Sequence, residues 1–212
     1  MVMDYPSEWN ELPKRERRKK IKELKRQQLE KAESFKKNRK IGLRIVLIVV
    51  LVGGYMLVTK KNSEKVESEK KIEAVSLKGR VEEFAIEGRD HVSPDAEVEY
   101  KTNPPTSGGH LAQAKNWGVY SKEIDDKAAV HSLEHGGIWI SYKDIDDEDI
   151  KTLEKIGKSN PQRVVVSPRS SNDNKIVVAS WGKMMKLEMI NEALILKYIK
   201  LQVNQSPEKL AR

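Results

Sequence analysis

Residues 41–59, IGLRIVLIVVLVGGYMLVT, constrain this chain more than any other stretch, because they admit few environments. Nineteen helical residues at about 1.5 Å each reach roughly 28 Å, close to the thickness of a bilayer's hydrocarbon core. From Ile45 to Val58 the stretch holds no charged residue. Arg44 lies one turn inside its first end, where a long side chain can snorkel back to the headgroups, and Lys60 and Lys61 close the other end. A buried core helix is the competing assignment. Gly53-Gly54 and the valine and isoleucine runs make poor soluble helix, and both flanks are strongly charged, so the hydropathy pattern predicts a membrane span.

Charge then assigns the two sides. Residues 1–40 carry fourteen Lys or Arg against seven Asp or Glu, a surplus of seven in a chain whose formal charge is +8. The positive-inside rule keeps this arm in the cytoplasm and puts everything beyond Thr59 outside. A cleaved signal peptide would also have a basic start and an apolar core. Forty residues is long for its first part, however, and no A-x-A-like cleavage pattern follows, which leaves an uncleaved signal-anchor. The sequence pI of about 9.4 invites a nucleic-acid partner. Its excess sits in the arm, which has no nucleic-acid-binding motif and almost no aromatic interleaving, so anionic lipid headgroups are the expected partner there.

The boundaries follow from texture: a basic, partly helical arm over 1–40, the transmembrane helix 41–59, a Lys/Glu/Ser-rich linker over 60–77, an outer domain over 78–208 and a short tail, 209–212. About 150 residues beyond the span suffice for one domain. The chain has no cysteine, which excludes disulfides, thiolate metal sites and cysteine nucleophiles. Short β-branched and aromatic runs (VEEFAIEGRDHV, NWGVY, AAVHSLEHGGIWISY, RVVVSPR, KIVVASW) are separated by Pro, Gly, Ser and Asn clusters, as strands are. Two helices punctuate them. One covers about 146–156, acidic in its first turn and ended by Gly157; the other covers about 191–204, with Ala193, Leu194, Leu196, Ile199 and Val203 as its buried stripe. The expected fold class is α+β, a mostly antiparallel sheet with two packed helices, preceded by the basic helical arm and the membrane helix.

All four histidines, His91, His110, His131 and His135, fall within 45 residues of the outer domain, and Glu134 stands beside the last. Neutral imidazoles hold zinc or copper without thiolate, so these five residues are the candidate metal set. A half-buried histidine bonded to backbone is the mundane alternative for each. HSLEH also fits the H-x-x-E-H pattern of inverted zincins, in which two histidines bind zinc and the glutamate is the general base. The strand-like sequence around it argues against that use. Strand residues four apart lie about 13 Å from one another. Two nitrogens on one zinc must lie near 3.3 Å, so a regular strand over 131–135 forbids a shared ion. PPTSGG reads as a rigid turn delivering His110, with an anion cradle as the alternative. Met184 and Met185 could lend a thioether to Cu(I) or simply fill a core.

PPTSGGH at 104–110, NWGVY at 116–120, HSLEHGG at 131–137 and SWG at 180–182 resemble the signatures of the bacterial family called domain of unknown function 3105, over about 78–208. The resemblance implies a secreted or membrane-anchored protein, and it implies no reaction or ligand. Three functions remain open. The first is a membrane-anchored domain binding copper or zinc through His110, His131 and His135, with His91 or Glu134 completing the site, for metal handling or sensing. The second is a non-catalytic envelope module that meets an unidentified envelope protein, with the histidines in a structural network. The third is a zinc hydrolase with Glu134 as base.

Overall fold

The computed structural model describes residues 6–212, with the side chains of residues 40–45 outside that description. Arg44 and the first residues of the predicted span are therefore outside the described side chains. The chain divides into two compact units, residues 1–64 and residues 65–212.

The first unit is a 3-10 turn, Ser7–Asn10, and most of a long helix, α1 (Lys14–Ala74). Pro13 precedes the helix, where its missing N–H costs nothing, and its carbonyl accepts from Glu16 and Arg17. The arm is a solvated charged helix, with Arg26 and Glu30 paired one turn apart at 3.1 Å. From Val46 onward, α1 is long and apolar enough to cross a membrane. The large side chains from Val46 to Val58 are exposed rather than packed on protein. The Lys/Glu-rich linker is helical as far as Ala74.

The second unit is α+β. Its strands are β1 (Val81–Glu83), β2 (His91–Val92), β3 (His110–Leu111), β4 (Gly118–Val119), β5 (Ile138–Tyr142), β6 (Val164–Pro168), β7 (Ile176–Ser180) and β8 (Lys183–Leu187). Its helices are α2 (Asp126–Glu134), α3 (Asp147–Ser159) and α4 (Glu192–Gln202). The main sheet has the order β1-β8-β7-β5-β6-β4, antiparallel from β1 to β5 and parallel across β5, β6 and β4. The sheet is mostly antiparallel, as the sequence predicts. β2 and β3 form a separate parallel pair that sets His91 opposite His110.

Both faces of the sheet are buried, which is why its strands read as unbroken apolar runs. Ile138, Ile140, Val164, Val166, Ile176, Val178 and Met185 face one way, into a core closed by Leu153 and Ile156 of α3 and by Leu194, Ile195, Tyr198 and Ile199 of α4. Trp139, Val165, Val177, Ala179 and Met184 face the other way, toward Ala129, Val130 and Leu133 of α2. Met184 and Met185 thus lie on opposite faces of β8 and fill the two cores. On α4 the stripe is centred differently from expectation, with Ile195 and Tyr198 fully buried beside Leu194 and Ile199, and Ala193, Leu196 and Val203 only partly buried. The Tyr198 hydroxyl meets Ser180 Oγ at 2.9 Å, satisfying both buried groups.

Two corrections concern helices. Residues 126–134 are helix, not strand, so three helices pack on the sheet rather than two. Asp125 caps α2, its carboxylate accepting from the Lys127 N–H at 2.7 Å, and Ala128 and Ala129 are strong helix formers. Gly136-Gly137 does end the helix quickly, but downstream of the histidine it presents. Gly157 does not end α3, which runs on to Ser159. A Cβ there would lie 2.8 Å from methyls of Val119 and Val166, so glycine lets α3 press close to the sheet.

Candidate metal centre

The site forms on the α2 face, where three segments meet. The first is 104–110. Pro104, Pro105, Thr106, Ser107 and Gly108 are buried, so this loop is internal scaffolding rather than an exposed anion cradle. Thr106 N–H donates to Thr102 Oγ1 at 3.0 Å, Ser107 Oγ accepts from Glu87 N–H at 3.0 Å, and Thr106 carbonyl accepts from Gly182 N–H at 3.0 Å. Gly108 has φ +112°, and a Cβ on it would lie 3.1 Å from the Tyr100 ring. The loop therefore delivers His110, itself fully buried, at a fixed position.

The second segment is α2, which presents His131 and Glu134 from its last turn. Its first turn is held by Arg169, whose Nε and Nη2 donate to the two carboxylate oxygens of Asp126 at 2.9 and 2.7 Å. The same guanidinium donates to Asn172 and also to Asn103, just ahead of the His110 loop, so one buried arginine ties together the two elements that carry the site. Sequence spacing contains no signal for this clamp. The third segment is β2, which brings His91 with its side chain exposed.

His91, His110, His131 and Glu134 each offer a ligand atom, and these atoms all lie within 4.8 Å of one another. The three rings form a nearly equilateral triangle, with centroids 5.1, 5.0 and 4.8 Å apart. Imidazoles bonded at about 2.0–2.1 Å to one tetrahedral ion have centroids roughly 5 Å apart.

Hydrogen bonds fix the tautomers. A carbonyl can only accept, so His110 Nδ1, 2.8 Å from Gly108 O, carries a proton, as does His131 Nδ1, 2.6 Å from Leu111 O. In the neutral form of each ring the lone pair is then on Nε2, the arrangement that a backbone partner gives a ligating histidine. His110 Nε2 lies 3.1 Å from Glu134 Oε2 without hydrogen-bond alignment, so it is buried with no hydrogen-bond partner. Burial first, and then the neighbouring imidazoles, hold the His131 pKa below the ordinary histidine value, against the opposing effect of its bond to Leu111 O. The ring therefore gives up its proton more readily than a free imidazole, which favours ligation.

His135 has a different place. It lies one helical turn from His131, centroids 4.3 Å apart, and not the 13 Å of a strand, because this stretch is helix and helix end. Its Nε2 meets Glu208 Oε2 at 3.1 Å. Of the five sequence candidates, four are gathered and His135 is turned to a residue that the sequence did not single out. The inverted zincin pattern needs both helix histidines on the ion and the glutamate off it. Here Glu134 faces His110 and His135 faces Glu208. Trp181 borders the cluster, its ring 6.3 Å from that of His110, and Trp117 packs on the turn after α2, where a Cβ on Gly137 would lie 2.0 Å from its ring.

The fold and site define a class: a three-layer α+β domain with a His/Glu cluster, buried except at His91, suited in donor type and spacing to a metal ion, in a chain with one helix among the described residues apolar enough to span a membrane. The chain belongs to the family described as Protein of unknown function (DUF3105), whose model matches residues 91–212, a range that takes in all four histidines and Glu134. Comparison with curated proteins and with solved structures gives no match.

Proposed function

We propose that this is a single-pass membrane protein whose outer domain binds a transition metal, copper or zinc, through His91, His110, His131 and Glu134, in metal handling or sensing. The observation that carries this reading is the His110–Glu134 contact. In the neutral form of His110, with its proton on Nδ1, the Nε2 lone pair faces a carboxylate oxygen at 3.1 Å in a buried site, acceptor against acceptor. Two acceptors repel unless something positive lies between them, and that repulsion is strong where water cannot screen it. A divalent cation held by both, and by His131 and His91, removes the repulsion and uses the Nε2 lone pairs of His110 and His131. Three imidazoles and one carboxylate form a borderline donor set, which suits Zn(II) and Cu(II).

The surplus of basic residues in the arm favours an inner location for residues 1–40 and an outer one for the domain. The arm's attraction to anionic headgroups is worth about 1 kcal/mol for each basic residue near the surface. Backbone bonds at the Nδ1 atoms of His110 and His131 favour the second reading, a structural network meeting an envelope partner. Those bonds occupy only one nitrogen of each ring, however, and leave the other for a ligand.

Elemental analysis of the full chain, purified in mild detergent without chelator, tests the proposal. About one equivalent of metal is expected in the parent, with loss in the His110→Ala, His131→Ala double variant and retention in His135→Ala. Background metal in the parent eliminates the reading.

A further inference from the structure

An α-helix leaves its last carbonyls without partners inside the helix. At the end of α2 the carbonyls of His131, Ser132 and Leu133 accept locally, from His135, Gly137 and Gly136, whereas those of Glu134 and of the two residues after it accept from residues far along the chain. Glu134 carbonyl accepts from Glu208 N–H at 3.2 Å, His135 carbonyl from the N–H groups of Leu210 and Ala211 at 3.0 and 3.2 Å, and Gly136 carbonyl from Asn204 N–H at 2.9 Å. The segment 204–212 that supplies them is itself fastened. Asn204 clasps Ala211, its Nδ2 donating to Ala211 O at 2.8 Å and its Oδ1 accepting from Ala211 N–H at 3.2 Å, and Ala211 is buried. Arg212 N–H donates to Gln162 O at 3.1 Å. The approach is close enough to require glycine: Gly136 has φ +88°, and a Cβ on it would lie 2.3 Å from Asn204 Oδ1 and 3.1 Å from Glu208 O.

We propose that residues 204–212 are a positioning strap for the metal centre, capping the turn from which His131 and Glu134 project. This rests on the reading that the His/Glu cluster takes a metal. Glu134 carries the coupling: its carboxylate faces His110 while its carbonyl is bonded to the strap, so a displaced strap shifts a ligand. His135 is the strap's side-chain anchor, through Glu208, and that is why it lies beside the cluster without being gathered into it. The strap also explains why residues 209–212, a mere tail by composition, are hydrogen-bonded to the fold.

The test uses the full chain in detergent with Zn(II) as the probe. One variant ends after Gln205. A second, Leu210→Pro, deletes a single strap donor at a residue whose side chain is 57% exposed, which leaves packing intact. Zn(II) affinity is read by competition with a chromophoric chelator, and amide exchange of residues 204–212 is followed with and without Zn(II). The expected result is affinity reduced about tenfold on truncation and by a smaller factor in Leu210→Pro, the range seen when an outer-shell partner of a ligand is removed. Because coupling is reciprocal, Zn(II) also slows exchange in the parent strap. A strap that only stabilises the fold would slow no more than the core amides of β5, which report the stability gained on binding. Should truncation abolish the native circular dichroism, Leu210→Pro and the exchange data decide. Variants matching the parent within twofold, with exchange indifferent to the ion, overturn the strap alone; a parent that binds no Zn(II), and no Cu(II) when that ion is the probe instead, overturns both proposals.

Discussion

A neutral His110 confronts Glu134 as a second acceptor, and the consequence is a substitution with opposite effects on stability and on binding. In Glu134→Gln the amide can donate to the His110 Nε2 lone pair, so the metal-free protein should gain about 1 kcal/mol while the metal affinity falls. Thermal melts in excess chelator check the first half and a Zn(II) titration the second. A loss of stability in chelator would mean that a proton already lies between the two groups. His131 supplies a second prediction. The folded protein holds a proton on His131 more weakly than the unfolded chain does. Its contribution to stability is therefore complete above the ordinary histidine pKa of about 6.5 and is lost as pH falls through the lower folded value. Metal-free protein should melt progressively lower beneath that pH, with a shallower fall in His131→Gln. Protons also compete for the ligands, so metal should be released over the same acid range. Single residues showed that imidazoles were the available donors, because no cysteine exists. Which ring nitrogen is free depends on Gly108 O and Leu111 O, carbonyls without a sequence signature.

At the scale of elements, α2 decides the site, and it is the element that strand-like composition conceals. Nine residues between an acidic cap and a glycine pair are too short for a strong 3.6-residue pattern, and the β-branched strand that follows at once lends its character to the window. Its placement depends on the turn at Gly137 fitting under Trp117. A Cβ would come 2.0 and 2.4 Å from two atoms of that ring, so Gly137→Ala should cost about 1–3 kcal/mol, read as a lower denaturant midpoint at unchanged slope. α3 and α4 were legible because each has a cap and an apolar stripe. Asp146 caps α3 by accepting from Asp149 N–H at 2.8 Å, and Asn191 caps α4 by accepting from Leu194 N–H at 3.0 Å. α3 runs past the glycine expected to stop it because Gly157 lies buried against the sheet, where close packing outweighs its poor helix propensity.

For the whole molecule, the proposed orientation predicts that protease added to intact cells digests residues beyond the span and spares the arm, as followed by antibodies to each end; a protected domain reverses it. The protein should stay with membranes through alkaline extraction, since the exposed apolar side chains from Val46 to Val58 need hydrocarbon around them. The sequence by itself determined what depends on composition along a line: the apolar helix, the basic arm, the α+β class with its mostly antiparallel sheet, the exclusion of thiolate chemistry and the family resemblance carried by PPTSGGH and HSLEHGG. Only the tertiary structure decided which donors converge. His91 and His110 meet through a two-residue strand pair, His131 and Glu134 arrive on a helix held at one end by Arg169 and at the other by residues 204–212, and His135 is drawn to Glu208. The physical reason is range. Hydropathy and charge act residue by residue and can be read locally. A ligand set depends on distances across segments remote in the chain, which are set by packing and by backbone hydrogen bonds that any residue type can supply.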